Sequence, residues 1–152
     1  MIPDSSFKKN LAEMYSDSRV AHIIRRLLEA QDDLGFATVL AEMSGGGGVL
    51  RCLVWRQSDG SIETRALAVG EYLIGRSSKC QILIDRPTVS RVHCLLTVHG
   101  GGRAAMRDLR SKNGTWVDGK RLSPEIRKII SVSDQLSIGY TPAAVIGVNY
   151  SL

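Results

Sequence analysis

From Val49 to Asn149 turn-forming residues cut the sequence into about eleven short apolar runs, many of them alternating apolar and polar positions. Leu50, Cys52 and Val54 alternate with Arg51, Leu53 and Trp55, and Asp59-Gly60 marks the turn into residues 61–68. Further runs cover 72–74, 81–84, 92–98, 103–107, 116–117, 120–122, 126–132, 135–138 and 143–149. Asp118-Gly119 is a two-residue hairpin signal, and Gly100-Gly101-Gly102 turns one run into the next. Runs this short, with a period of two, give strands buried on one face. A long series of them gives two sheets packed face to face. The expected fold is an all-β, eleven-stranded, two-sheet sandwich over residues 49–152.

A different pattern precedes it. Val20, Ile23, Ile24, Leu27, Leu28 and Leu34 recur at three, four and seven, one apolar stripe on a helix with Ser16 or Ser18 as N-cap. Asp32-Asp33-Leu34-Gly35 reads as an interruption, with Gly35 as a C-terminal cap. Phe36, Val39, Leu40 and Met43 then restart the spacing in a second short helix. Gly45 to Gly48 form a flexible linker, so residues 1–44 are a helical N-terminal arm and 45–48 the domain boundary. A stripe of this kind needs a surface to bury it. The stretch 18–43 is therefore expected to pack on its own sandwich, self-associate, or dock on a partner.

Charge divides along the same boundary. Residues 1–45 hold five Lys/Arg against seven Asp/Glu, a balance of −2, whereas 46–152 hold fifteen against eight, or +7, together the net +5. A basic domain attracts an anionic partner. No run of eighteen apolar residues appears, so no membrane-spanning helix is expected. The first twenty residues lack a basic start followed by an apolar block, as in a secretory signal, and Cys52, Cys80 and Cys94 sit at no metal-ligand spacing. These features lead us to expect reduced core thiols on strands, a cytoplasmic location, and neither metal nor cofactor.

Three polar segments lie between the apolar runs: Gly75-Arg76-Ser77-Ser78-Lys79, Arg86-Pro87-Thr88-Val89-Ser90-Arg91, and Arg110-Ser111-Lys112-Asn113-Gly114-Thr115. They carry six cations (Arg76, Lys79, Arg86, Arg91, Arg110 and Lys112) and no acid. Loops at one end of a β scaffold, offering guanidinium, hydroxyl and amide donors, suit a phosphate monoester. Ser90 and His93 could also be read as a nucleophile and its base. That reading needs an acid behind the histidine, an exposed elbow and an oxyanion hole, none of which the sequence displays. No catalytic residue is expected.

Gly75-Arg76, then Ser90-Arg91-Val92-His93, then Asn113-Gly114-Thr115, in that order and spacing, resemble the forkhead-associated (FHA) domain, a phosphothreonine reader. The resemblance covers roughly residues 48–150 and implies the same eleven-stranded sandwich with its binding loops at one end. It also implies that Arg76 grips the phosphate, that the Ser90 hydroxyl is a second ligand, and that Asn113 bonds the peptide backbone. By the same resemblance His93 braces the loop internally, with Gly75, Gly114 and Thr115 as structural support. Arg91 is placed to reach the phosphate, Ser77 flanks the pocket, and Thr88 lies where the loop approaches the third residue after the phosphothreonine. Lys112 departs from the family's more common Ser-Thr-Asn-Gly-Thr, either adding a phosphate contact or losing a hydroxyl one.

The function expected on this basis is non-catalytic, phosphothreonine-dependent protein binding in signalling, with a Ser/Thr kinase substrate as partner. Two other readings stay open. A nucleic-acid-binding regulator would use the basic domain, although the arm is net acidic and the loops lack interleaved aromatics. A phosphate-independent scaffold would use the sandwich as a frame and the helices for oligomerisation.

Overall fold

A computed structural model describes residues 49–100, 103–131 and 134–148, together with Arg26, Glu29, Ala30, Asp32, Asp33 and Gly35. Eleven strands follow one another: β1 (Val49–Arg56), β2 (Ile62–Ala66), β3 (Gly70–Gly75), β4 (Ile82–Leu83), β5 (Cys94–Val98), β6 (Ala104–Asp108), β7 (Thr115–Val117), β8 (Lys120–Arg121), β9 (Lys128–Ile130), β10 (Gln135–Ile138) and β11 (Thr141–Val148). They form a six-stranded sheet of order β2-β1-β11-β10-β7-β8 and a five-stranded sheet of order β4-β3-β5-β6-β9. Every ladder is antiparallel except β3 with β4, where Ile74 faces Ile82. The all-β sandwich expected from the alternating runs is thus the architecture found.

Alternation places one apolar set between the sheets. Leu53 and Trp55 of β1 meet Val145 and Ala143 of β11 across the ladder, while Ile74, Leu96 and Met106 come from the other sheet, all buried in one core. The opposite face of β1 is closed over as well, with Cys52, Val54 and Arg56 all at most 5% exposed. Asp118 and Gly119 both have positive φ, 51° and 79°, the backbone of the tight turn joining β7 to β8.

Two expectations need adjusting. Cys52 and Cys94 are buried strand thiols, but Cys80 lies in the β3–β4 connection, where its Sγ–H points at the Arg91 carbonyl 3.3 Å away. Gly35 is not a C-terminal cap. Arg26 and Glu29 are helical, Ala30 and Asp32 are not, and Asp33 and Gly35 are helical again. The Gly35 N–H donates to Asp32 Oδ1 at 2.7 Å, so Asp32 is the N-cap of the second helical stretch and the break falls before it. The remainder of the arm and the linker 45–48 lie outside the described residues.

Candidate functional site

The three polar segments become the β3–β4, β4–β5 and β6–β7 loops, and the structure brings them together at one end of the sandwich. The first two are joined by backbone bonds: Arg76 N–H to Ser90 O and Ser77 N–H to Arg91 O, both 3.0 Å. Gly75 makes this approach possible, because a Cβ there would stand 2.2 Å from the Arg91 carbonyl oxygen. Arg76 Nε donates to Val89 O at 3.0 Å, which fixes the plane of the guanidinium. Its two Nη groups, on an otherwise exposed side chain, have no bonded partner among the described residues.

Ser90 links the second loop to the third. Its Oγ accepts the Lys112 N–H at 3.1 Å, which leaves the hydroxyl proton available for an incoming acceptor. The Ser90 N–H donates to His93 Nδ1 at 3.0 Å. Since Nδ1 accepts, the proton sits on Nε2, which donates to Gly114 O at 2.8 Å. His93 is completely buried, and burial moves its pKa below the ordinary histidine value, so it is held as the neutral imidazole. The imidazole is thus a cross-brace between loops. It makes no bond to the Ser90 hydroxyl, so the two residues are not arranged as nucleophile and base.

Asn113 Nδ2 donates to Thr88 O at 2.8 Å, and the Asn113 carbonyl receives Trp116 Nε1–H at 3.0 Å. One amide face is therefore fixed inward, and Oδ1 has no bonded partner among the described residues. Gly114 has φ of 87°, and its carbonyl also takes the Gly139 N–H at 2.9 Å. Thr115 is buried and donates through Oγ1 to Asp108 Oδ1 at 2.8 Å. Ser77 is half-buried with its Oγ accepting Lys79 N–H at 3.2 Å, and Arg91 and Lys112 are exposed. Among the described residues no three His, Cys, Asp or Glu side chains are grouped to hold a metal ion.

Several contributors were not legible beforehand. Asp108, 2% exposed, receives Ser111 Oγ–H, Ser111 N–H at 3.1 Å and Thr115 Oγ1–H, and so sets the base of the β6–β7 loop. The Ser111 hydroxyl is consequently turned inward and does not line an open pocket. Arg121 on β8 lies over Gly114 and the Trp116 ring and donates to the Lys112 carbonyl at 3.2 Å. The β10–β11 turn joins the site too: Tyr140 N–H approaches Thr88 Oγ1 at 3.4 Å, and the Tyr140 side chain is exposed. Arg86, by contrast, turns away from Arg76 and Ser90. Its guanidinium turns to the end of β1 and to Asp33, with a separation of 2.7 Å from Nη1 to Oδ2.

This geometry is a set of fixed donors at one end of a sandwich, and comparison with known proteins shows what it is similar to. Residues 72–139 match the sequence model of the FHA domain. The E3 ubiquitin-protein ligase rnf8 of Danio rerio is 36% identical over 63 residues, 41% of this chain but 12% of that ligase. The FhaA FHA domain, solved in complex with the intracellular domain of Rv3910, is 26% identical, with a TM-score of 0.54 over 62% of this chain and 98% of that one. A chain solved for the structural and functional analysis of phosphothreonine-dependent FHA domain interactions is 28% identical, with a TM-score of 0.53 over 62% of this chain and 94% of that one. The sandwich is similar to forkhead-associated domains both in sequence, over residues 72–139, and in fold.

Proposed function

We propose that the chain binds phosphothreonine in a partner protein, without catalysis, through the β3–β4, β4–β5 and β6–β7 loops. The observation that carries this reading is the arrangement of Arg76 and Ser90. The arginine is anchored through Nε with both Nη groups outward, and the serine hydroxyl is held from behind by the Lys112 amide. A phosphate ester brings a charge of about −1.5 to −2 and three acceptor oxygens, which such donors match. In this reading Arg76 and Ser90 contact the phosphate, and the exposed Arg91 and Lys112 add positive charge beside it. Asn113 Oδ1 takes a backbone N–H of the peptide, and Ser77 borders the pocket.

The partner is then a substrate of a Ser/Thr kinase, and the chain acts as a signalling adaptor. Three buried free thiols suit a reducing compartment such as the cytoplasm. Within residues 18–43, Asp32 and Asp33 bond to the chain's own sandwich, which supports packing in cis over self-association. The test is titration with matched phosphothreonine, phosphoserine and unmodified peptides. Binding only of the phosphorylated forms, strongest for phosphothreonine, is expected. Equal affinity for the unmodified peptide would remove the proposal.

A further inference from the structure

Arg86 is the one cation of the three loops with an acidic partner among the described residues, and that partner is 53 positions upstream. Nη1 and Nη2 of Arg86 meet Oδ2 and Oδ1 of Asp33 at 2.7 and 2.9 Å, a bidentate pair. The same guanidinium donates to the carbonyls of Arg56 and Gln57 at the end of β1. Arg56 is itself buried, donates to the Asp32 carbonyl, and brings its Nε to 3.7 Å from Asp33 Oδ1. One carboxylate thus lies between two guanidinium groups, and both cations hold its pKa below the ordinary aspartate value.

The backbone of Arg86 opens the turn that ends at Val89, closed by the Val89 N–H on the Arg86 carbonyl at 3.0 Å. That turn supplies the acceptors that aim two of the site residues. Val89 O receives Arg76 Nε, and Thr88 O receives Asn113 Nδ2. Any shift of the turn therefore moves the guanidinium and the amide together. With Asp33 removed, two largely buried guanidinium groups would face each other without a counter-charge, and Arg86 would leave its seat.

We propose that Asp33 is a positioning residue for the phosphopeptide site: by bridging Arg86 and Arg56 it ties the N-terminal segment to the Arg86–Val89 turn and holds that turn in its binding geometry. Asp33 then strengthens ligand binding without touching ligand. This rests on the phosphothreonine reading above for the site it acts upon.

The test uses the full chain with Asp33→Ala, Asp33→Glu and Arg86→Lys. Amide hydrogen exchange in the free protein is read at Val89 and Ser90, and affinity is read with one phosphothreonine peptide well below the melting temperature. Asp33→Ala should speed exchange at both amides and weaken binding by about three- to ten-fold, within the coupling range of residues sharing one bonded network. Asp33→Glu should restore much of both. Arg86→Lys, whose single nitrogen cannot form the bidentate fork to Asp33, should behave like Asp33→Ala. Unchanged exchange and affinity in Asp33→Ala overturns the inference, and so does tighter binding, which would make the segment a competitor. If wild type fails to distinguish phosphorylated from unmodified peptide, the proposed function falls, and the exchange measurement still decides the role of Asp33.

Discussion

The Lys112 backbone amide donates to Ser90 Oγ across 3.1 Å, joining two loops whose residues are 22 positions apart. A lysine in place of a hydroxyl residue at 112 leaves this link untouched, because only its N–H is used. Ser90 in turn has two duties, accepting from Lys112 and presenting its own proton outward.

Ser90→Ala should therefore cost more than one ligand contact. The lost phosphate bond is worth about 0.5–1.5 kcal/mol, and the freed Lys112 amide loosens the β6–β7 loop further. We expect affinity for a phosphothreonine peptide to fall about ten-fold, with faster hydrogen exchange at the Lys112 amide. Weakened binding without any change at Lys112 would show that the loop link is dispensable.

Much of this fold could be read from the chain because turns and alternation act locally. Asp118-Gly119 specified its hairpin by backbone preference, and Leu53 and Trp55 declared their shared face by spacing two apart. The site was legible only where its residues carry unusual types in order, as Arg76, Ser90, His93 and Asn113 do. Asp108 gave no signal: an acid at a strand end is ordinarily solvated, and its inward turn depends on Ser111 and Thr115 arriving in space. Arg86 looked equivalent to Arg76 because a loop sequence does not tell which way a side chain points. Gly35 departs from expectation because glycine is commonest after a helix, whereas here the capping group is the Asp32 carboxylate, three residues before it.

Gly75→Ala tests the closeness of the first two loops. A methyl group would meet the Arg91 carbonyl oxygen at 2.2 Å and Cys80 Sγ at 2.9 Å, and the former is backbone that cannot swing aside. Overpacking of this kind costs about 1–3 kcal/mol. A lower melting temperature and loss of phosphopeptide binding should appear together, because parting the loops breaks the Arg76–Ser90 and Ser77–Arg91 backbone bonds. A variant as stable and as tight-binding as wild type would contradict the packing described.

His93 should make stability depend on pH. Its folded pKa is depressed below the ordinary value of 6.5, chiefly by burial, so the unfolded chain binds a proton that the folded chain resists. Its contribution is fully present above pH 6.5 and is lost as pH falls from there through the folded pKa. Chemical denaturation across this range should show stability declining toward acid. His93→Asn should be less stable at neutral pH, since the Ser90 N–H loses its acceptor and the Gly114 carbonyl keeps only the Gly139 N–H, at about 1–3 kcal/mol for a buried group left unsatisfied. It should also lose the histidine part of the pH slope. An identical slope in the variant would assign the dependence to other groups.

Arg76 should dominate affinity for the phosphate. Its Nε is occupied by Val89 O, so the side chain arrives oriented and little rotamer freedom remains to be lost on binding. Charge-assisted bonds to a phosphate contribute on the order of 1.5–3 kcal/mol, so Arg76→Ala should weaken binding by about ten- to over a hundred-fold. Because the side chain is exposed on a loop, the melting temperature should hardly move. Arg76→Lys separates charge from geometry. Lysine keeps the positive charge but has a single nitrogen, so bonding Val89 O competes directly with facing the phosphate. It should recover only a minor part of the affinity and increase the salt dependence of what remains, as a less directed cation relies more on long-range attraction. The measurement is peptide titration of the three proteins at two ionic strengths. Full recovery by lysine would show that the fixed fork of Arg76 contributes nothing beyond its charge.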